Sequence, residues 1–201
     1  MKAYTLHNIA LAWTTKINRY TQKEGVELQK MILGMEILLH NIPKFIIMVA
    51  AAILLDILPQ AMLTWISFAY IRRCAGGLHA NNSITCTIMT LLMFVAIPYA
   101  LQGSQFNIAF FIATFAVVIF GLYKYAPADT AAKPILGEKN RLKLKKQSIL
   151  SAAIVLAVAL IFFDETLYGL IAFGALYALI SVLPITYKLL KRSMNNYEQY
   201  E

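Results

Sequence analysis

Charge is scarce in this chain. Of its 201 residues only 14% are Asp, Glu, Lys or Arg, against about 25% in soluble domains. Apolar residues make up 60%, and the mean hydropathy is +0.64. An ordinary soluble enzyme is therefore excluded as a starting class, and so is a large water-facing domain. Cysteine is scarce as well: two residues cannot build the disulfide framework of a small secreted protein. Acidic residues number 10 against 18 basic ones, a net charge of +8. In so apolar a chain this surplus reads as membrane orientation, because basic residues gather on the cytoplasmic side. A nucleic-acid partner is not expected. The chain has no internal repeat and no low-complexity tract. Its first 41 residues hold an apolar run too short and too broken for a secretory signal.

What is present is a series of long uncharged runs. Ile84 to Tyr123 contains no Asp, Glu, Lys, Arg or His over 40 positions. One helical crossing takes about 20 residues, so this stretch holds two, and Gln102-Gly103-Ser104-Gln105 is the polar turn between them. Gln147–Phe163 and Thr166–Tyr187 are uncharged over 17 and 22 positions, separated by Asp164 and Glu165. Four spans follow, at about 84–101, 106–123, 147–163 and 167–187. The segment from Phe45 to Ile71 is also apolar, but Asp56, Pro59 and Gln60 interrupt it. Two arrangements fit: one long kinked helix, or a hairpin of short spans at about 44–58 and 60–75 turning at Leu58-Pro59-Gln60. Charge decides between them. With six spans and the N-terminus inside, all 18 Lys and Arg fall in the inner segments 1–44, 72–83, 124–146 and 188–201. One span across 45–71 would move Arg72 and Arg73 outside and break that pattern.

The expected fold is all-α: a polytopic integral membrane protein of about six transmembrane helices, the first two short. Amphipathic helices over residues 1–41 precede a single bundle at 44–187, and 188–201 forms a tail. Leu6, Ile9, Ala10, Trp13, Ile17 and Tyr20 recur at helical spacing, as do Val26, Met31, Ile32, Met35 and Leu39. Those two stretches either lie on the inner membrane surface or pack on the bundle. Both termini fall on the cytoplasmic side.

Chemistry concentrates in Arg72-Arg73-Cys74-Ala75-Gly76-Gly77-Leu78-His79-Ala80-Asn81-Asn82-Ser83-Ile84-Thr85-Cys86. It holds both cysteines, one of three histidines and the only Gly-Gly pair. On one straight helix seven residues rise about 10.5 Å, too far for His79 to take a proton from Cys86. Asn81, Asn82 and Ser83 offer a break, because all three are good helix caps. With Ser83 as the cap, Cys86 is the third residue of a new helix, among unpaired N–H groups at the positive end of its dipole. That setting favours the thiolate, the reactive form. His79 on the preceding irregular segment can then fold back as the base, and Gly76 and Gly77 allow tight backbone there. Against this stands the ordinary reading of a cysteine in an apolar helix, a small filler. Cys74 competes as nucleophile through its neighbour Arg73. A metal site built from Cys74, His79 and Cys86 matches no common zinc spacing. Arg72 and Arg73 either hold a substrate carboxylate or anchor the span, and charge asymmetry already explains them.

Arg73, then Ala75-Gly76-Gly77-Leu78-His79-Ala80, then Cys86 seven residues after the histidine, resemble the signature of the accessory gene regulator B (AgrB) family. A second stretch agrees: Tyr125-Ala126-Pro127-Ala128-Asp129, followed by Lys133-Pro134-Ile135, resembles that family's proline-containing loop. The resemblance implies an integral membrane cysteine endopeptidase of bacterial quorum sensing, acting on a small AgrD-like propeptide to produce a cyclic thiolactone or lactone peptide. It implies Cys86 as nucleophile and His79 as base, with Arg73, Gly76, Gly77, Asn82 and Ser83 in support. It also implies a homodimer in the bacterial cell membrane. No metal or organic cofactor is required by this chemistry. The basic loop 124–146 carries seven cations, which attraction to lipid accounts for. Its functional reading is recognition of an acidic propeptide tail by Lys143, Lys145 and Lys146. Two readings from other classes are a small transporter or peptide exporter, and a non-catalytic membrane scaffold.

Overall fold

The computed structural model describes residues 2–78, 83–131 and 134–199. Most of these residues are helical, with no strand among them. The chain forms two compact units, Met1–Ala50 and Ala51–Glu201.

In the first unit, α1 (Lys2–Thr21) leads into α2 (Gly25–Leu54). Asn18 closes the turn: its Oδ1 accepts the Lys23 N–H at 2.8 Å and its Nδ2 donates to the Lys23 carbonyl at 2.9 Å. His7 Nδ1 and Glu36 Oε1 are hydrogen-bonded across the two helices. The sequence suggested separate elements, amphipathic helices over 1–41 and a first span starting at 44. The structure instead carries one helix of 30 residues straight through Pro43. A proline removes one helical donor, but no glycine or capping residue follows to stop the chain. The residues after it, Phe45 to Leu54, are uncharged and need internal backbone pairing in lipid.

In the second unit the turn expected at Leu58-Pro59-Gln60 lies earlier, at Leu55–Ile57. Asp56 takes a positive φ of 56° and the Ile57 N–H bonds the Ala52 carbonyl at 2.9 Å. Pro59 falls in the first turn of α3 (Leu58–Ala75), where its missing N–H has no partner to lose. After it, α4 (Ser83–Leu91) passes through a wide π turn at Leu92–Ala96 into α5 (Ile97–Ala100). The Ile97 N–H bonds the Leu92 carbonyl, and the wide turn precedes Pro98, whose ring clashes with a normal helical neighbour. Then come α6 (Ile108–Tyr125), α7 (Glu138–Phe162), α8 (Glu165–Ile180) and α9 (Pro184–Leu189). Asn107 caps α6, accepting the Phe110 N–H at 2.8 Å. The last expected span, 167–187, is broken at Ser181–Leu183, just before Pro184.

Among the described residues four helices are long and apolar enough to cross a membrane: Gly25–Leu54, Ser83–Ala100, Ile108–Tyr125 and Glu138–Phe162. Leu167–Ile180 is apolar but shorter. This is the architecture of a polytopic membrane protein. The second early span, α3, is 18 residues long but stands outside that set. Gln60, Thr64, Ser67, Arg72 and Arg73 make it more polar. It packs on α7 and α8, and α6 packs on the same pair.

The distribution of side-chain sizes fits lipid. Ala61, Ala75, Ala152, Ala159, Ala172, Ala175 and Ala178 are buried, while Phe120, Ile154, Ile161 and Phe162 face outward. Small residues let helices approach where no hydrophobic force drives them together. At Gly174 a Cβ would come within 2.4 Å of the Thr64 carbonyl oxygen. Several buried hydroxyls return to backbone, as Ser67 Oγ does to the Ile171 carbonyl at 2.8 Å and Ser181 Oγ to the Ala178 carbonyl at 2.7 Å. Aromatic rings fill the rest, with Phe111 stacked on Tyr168 at 4.5 Å between centroids.

Candidate functional site

The chemistry-bearing stretch begins where α3 ends. Gly76 closes that helix with φ 71° and ψ −139°, its N–H bonding the Arg72 carbonyl at 2.9 Å. The chain then runs beside the loop that follows α6. Ala128 N–H bonds the Ala75 carbonyl and Gly77 N–H bonds the Ala128 carbonyl, each at 2.9 Å, a short parallel bridge. Leu78 N–H bonds the Ser181 carbonyl at 3.0 Å. Three segments distant in sequence therefore meet: the end of α3, the proline-containing loop and the break after α8. Both glycines are required by that meeting. A Cβ on Gly76 would lie 2.3 Å from the Ala128 carbonyl oxygen; one on Gly77, whose φ is 108°, would lie 2.6 Å from Ser181 Oγ.

Arg72 locks this junction from its other side. Its guanidinium donates to the Leu78 carbonyl and, at 3.4 Å, to that of Gly77, and it lies over the Phe68 ring. Arg73 is exposed and sits 3.9 Å over the Tyr70 ring. Of the two arginines, the one that reaches the motif is Arg72, which the spacing alone could not distinguish from its neighbour.

Cys86 is partly exposed. Helix α4 begins at Ser83 itself, so Cys86 is its fourth residue rather than its third. It remains in the first turn, where helical N–H groups lack partners. Thr87 and Thr90 donate their hydroxyls back to the Ser83 and Cys86 carbonyls at 2.9 and 2.8 Å. Cys74 is also partly exposed, in the last turn of α3. His79 and Asn82, expected as base and support, lie outside the described residues, as does Lys133. Among the described residues no group of three His, Cys, Asp or Glu could hold a metal ion.

Asp129 anchors the proline-containing loop, a role the sequence reading did not assign. It is buried, and its carboxylate accepts three bonds from the C-terminal segment: Asn196 N–H and Nδ2 at 3.1 Å, and Tyr197 N–H at 3.0 Å. Its own carbonyl accepts the buried Tyr187 hydroxyl at 2.7 Å. A carboxylate in so apolar a chain is costly without such partners, and that cost was the available signal.

The basic loop divides. Lys143 and Lys146 are exposed. Lys145 turns instead onto the Tyr123 ring, 4.7 Å from its centroid, and shares a cleft with Lys124 and Arg141.

Comparison with known proteins agrees over most of the chain. The family model for Accessory gene regulator B matches residues 10–182. An AgrB-like protein of Clostridium acetobutylicum is 38% identical over 200 residues, covering 100% of this chain and 96% of its own length. An AgrB-like protein of Listeria innocua is 38% identical over 86% of this chain and 84% of its own. Accessory gene regulator protein B of Staphylococcus lugdunensis is 30% identical over 83% of this chain and 90% of its own. No solved structure matches the chain.

Proposed function

The chain belongs to the accessory gene regulator B family, and on that premise we propose that it is a membrane cysteine endopeptidase acting on a small quorum-sensing propeptide. One observation carries the reading. Cys86 stands in the first turn of α4, and Arg72 ties down the carbonyls of Gly77 and Leu78, the two residues just before His79. A first-turn position sets a thiol among helical N–H groups that lack partners.

The chemistry then runs in two halves. His79 takes the proton from the Cys86 thiol, and the thiolate attacks one peptide carbonyl towards the propeptide's C-terminal side. The tetrahedral adduct collapses, the tail leaves as an amine that receives the proton from the imidazolium, and a thioester on Cys86 remains. A Cys or Ser side chain within the bound peptide then attacks the thioester, closing a thiolactone or lactone and restoring the Cys86 thiol. The second half requires the internal nucleophile to outcompete water. Proximity and an apolar surrounding supply that preference. Arg73, on its tyrosine, and the exposed Ser83 border the site. Exposed Lys143 and Lys146 offer charge to an acidic segment of the propeptide. The motif, the basic loop and both termini face the cytoplasm in this reading, following the positive-inside rule.

The test is intact-mass analysis of liposome-embedded protein incubated with a candidate propeptide. Wild type should release a tail and carry a peptide-sized adduct on Cys86. Cys86→Ala and His79→Ala should do neither, and Cys74→Ser should retain both. Cleavage that survives Cys86→Ala sinks the proposal. A Cys86 thiol inert to alkylation at neutral pH, together with no adduct, would favour an exporter or a scaffold.

A further inference from the structure

Where α6 ends and α7 begins, Lys124, Arg141, Lys145, Tyr125 and Tyr197 line an open cleft of about 240 Å³, with Pro127 and Asn195 at its sides. Three cations meet there, and Glu138 is the one carboxylate on its wall. Each cation is seated on an aromatic ring. Arg141 lies 3.9 Å over Tyr197, Lys145 4.7 Å over Tyr123 and Lys124 5.3 Å over Tyr125. Arg141 also donates to the Ile135 carbonyl at 3.3 Å. Rings under cations hold them in place, so the cleft keeps its shape.

We propose that this cleft binds the phosphate of an anionic glycerophospholipid headgroup. Depth is the first argument. The cleft sits where both helices change character: α6 is uncharged from Ile108 to Tyr123 and meets its first cation at Lys124, and α7 is charged from Glu138 to Lys146 and uncharged from Gln147. In a membrane that level is the headgroup layer. Selection is the second argument. Arg141 and Lys145 are one helical turn apart on the same face of α7, whereas Lys143 and Lys146 are not in the cleft. A loop acting only by diffuse attraction would need no such sorting. Chemistry is the third, since a guanidinium fork and two ammonium groups suit phosphate oxygens. The cleft lies beside Pro127, in the loop whose next residue bridges Gly76 and Gly77, so an occupied cleft would brace the loop that holds the motif. The inference does not depend on the cleavage chemistry.

The test uses the full chain in nanodiscs and in detergent. Phosphatidylglycerol and phosphatidylcholine are supplied in turn, and retained lipid is counted by native mass spectrometry. Wild type should retain phosphatidylglycerol preferentially. The triple variant Lys124→Gln, Arg141→Gln, Lys145→Gln should lose about a hundredfold in that preference, at roughly fivefold for each cation near an anionic surface. The triple variant Lys139→Gln, Lys143→Gln, Lys146→Gln removes the same number of charges from the same basic stretch, outside the cleft, and should retain the preference. Equal losses in both variants would overturn the proposal and leave diffuse attraction. If the cleft variant does not fold, Lys124→Gln alone, an exposed position, should still show about a fivefold loss; no loss there overturns the proposal too. Inorganic phosphate added alone separates the sources: the same protection against heating from phosphate as from lipid would identify a free-phosphate site. Retained lipid preference in the cleft variant with lost binding of an acidic peptide would make the cleft a peptide site, also against the proposal.

Discussion

Gly76→Ala tests the junction at its tightest point. The residue has φ 71° and ψ −139°, a combination that a side chain disfavours by about 1–3 kcal/mol. The added Cβ would stand 2.3 Å from the Ala128 carbonyl oxygen, which belongs to the backbone and cannot rotate away. Relieving such overlap costs a further 1–3 kcal/mol or so. The same carbonyl accepts the Gly77 N–H, so the bridge gives way first, at about 1 kcal/mol. The total is about 3–7 kcal/mol, and at about 2–4 °C per kcal/mol for a chain of this size the melting temperature should fall by roughly 6–28 °C. Gly103→Ala is the control. Its φ is 76°, yet nothing lies within 4 Å of the position its Cβ would take, so only backbone strain is added, about 1–2 kcal/mol. The assay is thermal unfolding in detergent, with the rate of Cys86 alkylation followed in parallel on folded protein. A Gly76→Ala melting temperature within about 2 °C of Gly103→Ala, at roughly 0.5–1 kcal/mol, would refute the close-packing argument.

Other positions give equally definite outcomes. Asp129→Ala leaves three donors of Asn196 and Tyr197 without their acceptor and should cost about 3–5 kcal/mol; limited proteolysis should then cut near Arg192 much faster, and an unchanged rate would count against the latch. Tyr187→Phe removes the hydroxyl bonded to the Asp129 carbonyl and should cost only about 1–3 kcal/mol, read as a smaller shift in the same digestion. Arg72→Gln removes the guanidinium that donates to the Gly77 and Leu78 carbonyls and should cost about 1.5–3 kcal/mol, read as a lower melting temperature and faster proteolysis near the junction. Arg73→Gln should leave both unchanged. Gly174→Leu would drive a side chain into the Thr64 carbonyl and Ser67, and should abolish folding into membranes, scored by loss of monodisperse protein on gel filtration.

Much of the architecture is legible in the sequence because lipid makes local rules strict. Every backbone group must pair within its own helix, so an uncharged run of sufficient length is a helix. The 40 uncharged positions from Ile84 to Tyr123 do form two helices, joined at the polar turn. Interruptions are harder to read. Pro43 lies within a continuous helix, while Pro59 opens one, and only the surroundings distinguish a proline that is tolerated from one that starts a turn. At the candidate site, Cys86 is legible as a helix-start cysteine because capping residues precede it.

The remainder was decided by tertiary structure, for a physical reason. Periodicity and capping report on neighbours within a few residues. The meeting of Gly76 and Gly77 with Ala128 and Ser181 joins segments about 50 and 100 residues away, and in sequence it leaves only two small residues as its trace. The burial of Asp129 beneath Asn196 and Tyr197, the choice of Arg72 over Arg73, and the sorting of Lys145 with Lys124 and Arg141 all depend on which helix faces touch. Composition, charge asymmetry and one short motif were enough for the class and for most of the helices. The junction at Gly76 and Gly77 exists only once α3, the loop after α6 and the break after α8 are packed together.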